Sequence, residues 1–292
     1  MESGVGEECV VAKVDVGLTG VPETMLLTLH NRVSVAANPN GFFKDPKAVE
    51  IYESIDYDYE HSFGKADSSH AIRSMVFDEA ILDFWKEHPD GTVVNLAEGL
   101  ETQRFRLQDE HQNQYKDAMW LTVDLPMGIE AREKFIAADE SHLHVSASAL
   151  DIDSWAKEVP SDKAVLITAQ GLFMYFERDE VKSLFEAIGT KFPGATLMFD
   201  VIAKYISDKT MTGWHKTKHY TVPQMPFGVN KFDAQPLVHS WVDGLEVEEI
   251  PLPLHLLPGV WGYLAPLLAQ IPIIRGYQPG FVLRVKFPAP LN

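Results

Sequence analysis

The stretch Thr92-Val93-Val94-Asn95-Leu96-Ala97-Glu98-Gly99-Leu100-Glu101-Thr102 decides the predicted fold of this 292-residue chain. It opens with a short apolar run typical of a buried strand, and small residues follow directly. A strand, a tight turn and a helix start bring backbone N–H groups close to a nucleotide-like ligand. Only Gly99 stands where two glycines are usual, because Ala97 occupies the other position. The segment alone leaves two interpretations open, a ligand-binding turn or an ordinary strand-to-helix turn.

Similar apolar runs recur along the chain and alternate with helix-like stretches. The predicted strands are Thr92–Leu96, Trp120–Leu125, His142–Ala147, Ala164–Thr168, Thr196–Ile202, Leu245–Leu252 and Phe281–Phe287. Such alternation predicts an α/β fold with a doubly wound, mostly parallel sheet, in which ligands bind beyond the carboxyl ends of the strands. The last two runs have no clear helix between them, which predicts an antiparallel closing pair at the sheet edge.

The remaining segments predict additions to this core within a single domain, residues 1–292. Residues 1–90 are expected to form a helical N-terminal extension, with Val21–Val35 and Ile72–Glu87 as its stronger helices. Residues 91–203 and 240–292 supply the core, in which Glu177–Lys191 is the clearest helix. Residues 204–239 are the least regular part and are interpreted as a lid insert over the pocket.

Composition excludes several classes of protein. With 25 Lys+Arg against 42 Asp+Glu the formal net charge is −17, which argues against nucleic-acid binding because phosphate recognition needs a basic face. The single cysteine, Cys9, leaves no intramolecular disulfide to form, and the first 30 residues show no signal peptide, so a cytoplasmic protein is expected. No metal site is predicted, because no ligand set with metal-binding spacing stands out.

Residues 250–274 carry no charged side chain and are long enough to cross a bilayer. Five prolines interrupt them, and a helix so broken would leave backbone groups unsatisfied in lipid. We therefore expect short packed segments or a lid, without a membrane span. The same apolar stretch is a candidate surface for oligomer formation.

The other predicted strand ends also carry side chains that could hold a ligand. Asp124 ends the second strand, where a carboxylate suits the hydroxyls of a ribose, although it could equally cap the helix that begins near Pro126. Trp155, after the third strand, is either a frame for an adenine or a core residue. Gln170 and Tyr175 follow the fourth strand and stand at the mouth of the sheet.

Several separate segments of the sequence together resemble one protein family. The run 93–106, Val123-Asp124-Leu125-Pro126 with Arg132, Leu150-Asp151 with Trp155, and residues 169–175 are similar to the leucine carboxyl methyltransferase family. Within it the chain resembles the branch related to the tetracenomycin polyketide O-methyltransferase, over roughly residues 20–287. The resemblance implies a seven-stranded class I methyltransferase fold, Rossmann-like, that binds S-adenosylmethionine and methylates an oxygen of a small molecule.

The resemblance also implies roles for individual residues. It places Arg73 on the methionine carboxylate, Asp124 on the ribose and Gln170 near the cofactor amine, where the family usually has an acid. The full set of cofactor-binding candidates is Arg73, Ala97, Glu98, Gly99, Asp124, Leu125, Ala149, Leu150 and Gln170. The candidates on the side of the acceptor substrate are Asn31, Arg32, Tyr175 and His215, with His219 as a further possible base.

Three departures from the family pattern keep an alternative open. Ala97 and Glu101 replace the first glycine and the aspartate of a Gly-x-Gly-x-Asp-Thr turn, and Gln170 lacks the acid's charge. The first hypothesis is an O-methyltransferase acting on a carboxylate or hydroxyl. The second is a weakly active or non-catalytic binding module with an eroded cofactor site. A nicotinamide-dependent oxidoreductase fits poorly, because the three-glycine fingerprint is absent.

Overall fold

The computed structural model describes residues 13–111, 114–115 and 117–289, so Cys9 lies outside the described residues. Within them, the central sheet consists of β1 (Thr92–Leu96), β2 (Met119–Asp124), β3 (His142–Ser146), β4 (Val165–Ala169), β5 (Thr196–Ile202), β6 (Glu246–Ile250) and β7 (Gly280–Lys286). Their order is β3-β2-β1-β4-β5-β7-β6. Strands β1 to β5 pair in parallel, and β7 runs antiparallel to both β5 and β6. The predicted doubly wound sheet with an antiparallel closing strand is confirmed.

The strand order reverses direction at β1, because β2 lies on one side of it and β4 on the other. Such a switch point opens a crevice at the carboxyl ends of the strands. Strand bounds agree with the predicted ones to within one or two residues. The largest difference is at β6, which ends at Ile250 because Pro251 and Pro253 have no N–H to continue the ladder.

The helices, in chain order, are α1 (Thr24–Ala36), α2 (Pro46–Ser54), α3 (Tyr59–Phe63), α4 (Ser69–Glu87), α5 (Gln103–His111), α6 (Pro126–Glu133), α7 (Ile152–Ala156), α8 (Arg178–Lys191), α9 (Lys204–Met211), α10 (Lys231–His239), α11 (Trp261–Leu268) and α12 (Pro272–Gly276). Helix α8 begins one residue after its predicted start, because Glu177 is its N-cap and forms a capping box with Glu180. The N-terminal extension is helical as predicted, with α1 to α4 before β1.

The core lies on both faces of the sheet, because alternate strand residues point to opposite sides. Val93 packs in a cluster with Ile81 and Trp85 of α4. Its neighbour Val94 belongs to the cluster on the other face, which includes Phe185 of α8. Helices α4 and α8 therefore cover the two faces and fix the sheet between them.

The insert and the late apolar stretch take different forms. Helices α9 and α10 stand at the two ends of residues 204–239, and most of the chain between them is irregular. The sequence predicts short packed segments or a lid for residues 250–274. The stretch contains the short helix α11 and most of α12, and these carry exposed apolar side chains, such as Trp261 and Ile273. No helix in the described part of the chain is both long and apolar enough to span a membrane.

Candidate functional site

The turn after β1 has a left-handed backbone at two positions. Ala97 and Gly99 both have a φ of 54°. Gly99 adopts this conformation without a side chain, and a Cβ built on it would lie 3.1 Å from Cβ of Met25. Ala97 adopts the same conformation with a Cβ, which costs about 1 kcal/mol. The turn therefore keeps a shape suited to glycine at both positions, although only one glycine is present.

Two buried arginines hold the carbonyl groups of this turn. Arg132 Nη1 donates to the carbonyl oxygens of Gly99 and Glu101, each at 2.8 Å. Arg32 Nη2 donates to the carbonyl oxygen of Leu100 at 2.8 Å. Three successive carbonyls thus point toward guanidinium groups, and a change in the backbone path would break hydrogen bonds made by buried charged groups.

Asp124 ties the end of β2 to the same turn. Its Oδ2 accepts a hydrogen bond from the N–H of Gly99 at 2.8 Å, and its Oδ1 accepts one from the N–H of Leu125 at 2.7 Å. Burial raises the pKa of Asp124, and these two hydrogen bonds oppose the rise. Gly128 of α6 leaves room for the carboxylate, because a Cβ there would lie 2.5 Å from Oδ1.

Glu101 belongs to a buried ionic network beneath the turn. Its carboxylate contacts Arg106 at 2.6 Å and Arg32 at 3.1 Å, and Arg106 also pairs with Asp45 and Asp78. Burial alone would raise the pKa of Glu101, but the guanidinium groups of Arg106 and Arg32 outweigh it and lower that pKa. The replacement of the family's aspartate therefore places the carboxylate where two arginines neutralise it.

One cavity of about 700 Å³ lies at the carboxyl ends of β1, β2, β4 and β5. The turn after β1 and Asp124 line the same cavity, as a shared binding site for an adenosyl group requires. Helix α1 and the insert form other parts of its wall, through residues such as Met25, Asn31, Trp214 and Tyr220.

Most of the sequence-predicted cofactor residues meet at this cavity: Arg73, Ala97, Glu98, Gly99, Asp124, Leu125, Ala149 and Gln170 all line it. Leu150 is placed elsewhere, packed against the core on the α8 side of the sheet. Trp155 is fully buried in that core and donates to the carbonyl of Ala149, so it is a core residue and does not frame the cavity. The carboxylate of Glu98 turns away, toward Thr122 and Arg132.

Five of the cavity-lining residues carry a buried polar atom that has no hydrogen-bond partner among the described residues: Nε of Arg32, Nε of Arg73, Nδ2 of Asn95, Oε1 of Gln170 and the hydroxyl of Tyr220. Arg73 also pairs through Nη1 with Asp200 at 2.8 Å, and Gln170 donates through Nε2 to Gln103. Unsatisfied buried polar atoms are rare in folded proteins, and their presence in a cavity wall points to a polar ligand. An acceptor oxygen and a guanidinium nitrogen suit the ammonium and carboxylate of an amino acid.

The acceptor-side candidates separate into two groups. Asn31, Arg32 and Tyr175 line the cavity, but the guanidinium of Arg32 is committed to Glu101, Asp45 and the turn. His215 is exposed and pairs with Thr221, and neither it nor His219 lines the cavity. Both histidines lie in the irregular part of the insert, where sequence alone does not determine which side chains face inward.

Sequence reasoning missed several polar residues of the cavity wall, among them Asp200, His70 and Lys216. Asp200, on β5, holds Arg73, and its position near a strand end, like that of Asp124, was an available signal. His70 lies one turn before Arg73 on α4, and Lys216 comes from the insert. Neither of these two had a signal in the sequence, because their importance depends on the approach of distant segments.

The parallel sheet with an antiparallel closing strand, the turn after β1 and the acid at the end of β2 give this chain the fold of class I methyltransferases. The model of the leucine carboxyl methyltransferase family matches residues 32–189, more than half of the chain. The chain belongs to that family.

Relatives and a solved structure agree with this assignment. The chain is 29% identical over 191 residues to the tetracenomycin polyketide synthesis O-methyltransferase TcmP of Streptomyces glaucescens, covering 63% of this chain and 67% of that one. It is 29% identical over 195 residues to the S-adenosyl-L-methionine-dependent methyltransferase dpfgK of Gibberella zeae, covering 62% and 64%. A crystal structure of a candidate methyltransferase from Thermobifida fusca shares the fold, with a TM-score of 0.51, 14% identity and coverage of 90% and 94%.

The left-handed backbone at Ala97 generates a first prediction. Ala97→Gly is expected to raise the free energy of unfolding by up to about 1 kcal/mol, because glycine adopts this φ without a steric penalty. Urea unfolding followed by tryptophan fluorescence measures the change. The matched control is Ala187→Gly in α8, which should lower stability by about 1 kcal/mol through helix propensity. Equal destabilisation by both substitutions would contradict the strain at Ala97.

The ionic network generates a pH-dependent prediction. Glu101→Gln should lower the free energy of unfolding at pH 7 by about 3 kcal/mol, because it leaves Arg106 and Arg32 short of a partner. The native pKa of Glu101 is lowered, so its carboxylate stabilises the fold fully above about pH 4.5 and progressively less as the pH falls below that value. The difference in the free energy of unfolding between wild type and variant should therefore become smaller as the pH falls from 5 to 3.

The control for this series is Glu130→Gln, at an exposed position on α6. Urea titrations at each pH should show little difference between it and the wild type. If the difference in the free energy of unfolding between Glu101→Gln and the wild type stays constant at every pH, the arginines do not hold the carboxylate of Glu101 ionised.

Proposed function

We propose that this protein is an S-adenosylmethionine-dependent O-methyltransferase acting on a carboxylate or hydroxyl of a small molecule. The observation that carries the proposal is the single cavity in which the turn after β1, Asp124 and the unpartnered atoms of Arg73 and Gln170 converge. The family and the two named relatives supply the reaction class.

The cavity residues suggest how the cofactor is held. Asp124 keeps lone pairs free beyond its two backbone hydrogen bonds, which suits the ribose hydroxyls. Arg73 presents its unpartnered Nε to the methionine carboxylate, while Asp200 fixes its other edge. Gln170 offers Oε1 to the cofactor amine, as a neutral acceptor where the family usually has an acid.

The protein's part in the reaction is positioning. When bound, S-adenosylmethionine supplies a methyl group on a positively charged sulfur, and transfer to a carboxylate oxygen leaves a neutral ester and a neutral thioether with no proton to remove. Holding the acceptor in line within a closed cavity then lowers the barrier. Burial raises the pKa of Tyr175, so this cavity residue stays a phenol at neutral pH and can donate a hydrogen bond but not take a proton.

The eroded binding module remains the rival function. The altered turn motivated it, yet Ala97 adopts the left-handed backbone and Glu101 is neutralised by arginines, so the turn keeps its shape. We propose in addition that the chain acts as one unit, since the extension, core and insert all line the cavity. A cytoplasmic location is proposed with it, because a single cysteine fits a reducing compartment. Oligomer formation through residues 250–274 stays a prediction.

Isothermal titration calorimetry with S-adenosylhomocysteine tests the cofactor site. The wild-type protein should bind it, and Gln170→Ala should bind about tenfold more weakly, because a hydrogen bond to a charged group contributes roughly 1.5–3 kcal/mol. Gln108→Ala, at an exposed position on α5, is the matched control and should bind like the wild type. Absence of heat at millimolar ligand in the wild type would overturn the proposed function.

The contact of Gly128 with Asp124 generates a further prediction. Gly128→Ala would place a Cβ 2.5 Å from Oδ1 of Asp124, so the carboxylate must move and binding of S-adenosylhomocysteine should weaken by about tenfold. A double-mutant cycle on stability isolates the clash. Gly128→Ala should destabilise the wild type, but in an Asp124→Ala background it should stabilise by about 1 kcal/mol through helix propensity. If the effects of the two substitutions on the free energy of unfolding are additive, the Cβ at residue 128 does not clash with Asp124.

A further inference from the structure

His70 is a cavity residue whose protonation state can be read from its hydrogen bonds. It lies in the first turn of α4, and its Nδ1 is 2.8 Å from Nδ2 of Asn31 on α1. The orientation of the Asn31 amide is set on its other side, where Oδ1 accepts a hydrogen bond from the backbone N–H of Asp67 at 3.2 Å. A backbone N–H can only donate, so the amide oxygen faces Asp67 and the amide N–H₂ faces His70.

This chain of donors fixes the tautomer of the imidazole. Because Asn31 donates to Nδ1, that nitrogen carries the lone pair, and the single proton of the neutral ring is on Nε2. Burial, followed by the positive charge of Arg73, lowers the pKa of His70 to about 3, so the ring is neutral at physiological pH. Nε2 is the nitrogen left for a ligand, since the ring lines the cavity and no described residue bonds to this atom.

The surroundings of His70 indicate the charge of that ligand. Lys216 of the insert lines the same cavity, and its positive charge acts on both Asp67 and His70. Arg73 and Arg32 also act on the imidazole, with Asp67 as the opposing carboxylate. The hydroxyl of Thr217, next to Lys216, donates to the carbonyl of Ser62, which holds the insert against α3.

We infer that His70, fixed as the Nε2–H tautomer by Asn31, donates a hydrogen bond to an anionic oxygen of the acceptor beside Lys216. This inference rests on the proposed methyl transfer and assigns its acceptor-binding group. A carboxylate suits the arrangement, because one oxygen can accept from His70 while the other stays free for the methyl group. A phenolate would have to use its only oxygen for both. Asn31 is then a positioning residue, which acts through His70.

The body of the acceptor meets apolar and aromatic side chains. Met25 of α1 and Trp214, Tyr220 and Met225 of the insert line the same cavity as His70 and Lys216. Flat apolar groups pack well against such aromatic and thioether surfaces. An aromatic carboxylate such as 2-naphthoate is therefore a suitable probe, and 2-naphthamide is its neutral counterpart.

The binding experiment titrates both probes into the full chain, with and without S-adenosylhomocysteine, by calorimetry. His70→Leu should weaken 2-naphthoate binding by about tenfold or more and 2-naphthamide binding by less than about threefold, because hydrogen bonds to charged groups are the stronger ones. His70→Gln keeps a donor near the position of Nε2 and should restore most of the affinity. His239→Leu, at an exposed histidine of α10, is the matched control.

A second experiment reads the tautomer directly. Long-range ¹H–¹⁵N spectra at pH 8 should show His70 protonated at Nε2, assigned by the signal that disappears in His70→Gln. Asn31→Asp keeps an acceptor for the Asp67 N–H but removes the donor to Nδ1. The proton of His70 should then move to Nδ1, and 2-naphthoate binding should fall as in His70→Leu, while the thermal midpoint reports any loss of folding.

The outcomes separate this inference from the proposed function. If S-adenosylhomocysteine does not bind, the proposed function fails, and the titrations without it still decide the role of His70. If it binds, three results would overturn the inference. The first is that the wild type does not bind 2-naphthoate. The second is that His70→Leu loses equal affinity for 2-naphthoate and 2-naphthamide. The third is that His70→Leu loses affinity for S-adenosylhomocysteine alone. A proton on Nδ1 in the wild type would overturn it as well.

Discussion

The buried ionic network beneath the turn is the constraint on which the rest of the structure depends. Two guanidinium groups, of Arg32 and Arg106, meet the carboxyl groups of Asp45, Asp78 and Glu101. Burying so many ionisable groups is unfavourable unless each finds partners, so removal of any one leaves its neighbours short of charge. Because these residues come from α1, the start of α2, α4, α5 and the turn, the network joins the N-terminal extension to the sheet and fixes the cavity between them.

The same arrangement explains how the turn tolerates its altered sequence. A left-handed alanine costs about 1 kcal/mol, which is small beside the hydrogen bonds that Arg132 and Arg32 donate to three successive carbonyls. Asp124 then binds the N–H of Gly99 from the other side. The backbone is held from both directions, so its shape does not depend on glycine at every position where the family has one. Whether a changed motif still forms its turn is thus decided by residues far from it in sequence.

Much of the fold could be predicted because strand and helix patterns are local. The runs at Thr92–Leu96 and Thr196–Ile202 match strands residue for residue, and Asp124 was found from its place at a strand end. The site was harder to predict from the sequence, because its other residues are far apart along the chain. Asn31 and His70 are 39 residues apart, and Arg32 and Leu100 are 68 apart. Trp155 and His215 show the same limit, since adjacent sequence did not reveal that one is core and the other exposed.

The acidic surface and an anionic acceptor are compatible, because the two act over different ranges. A formal charge of −17 repels anions from the whole molecule, but at physiological salt this repulsion is screened beyond about 8 Å. Lys216 and His70 lie in the cavity wall, and charges that act on a bound anion over such short distances are screened much less than exposed charges far apart. Methylation would remove the acceptor's charge, so the ester would lose the attraction that held the acid. A site of this kind favours its substrate over its product and so assists release.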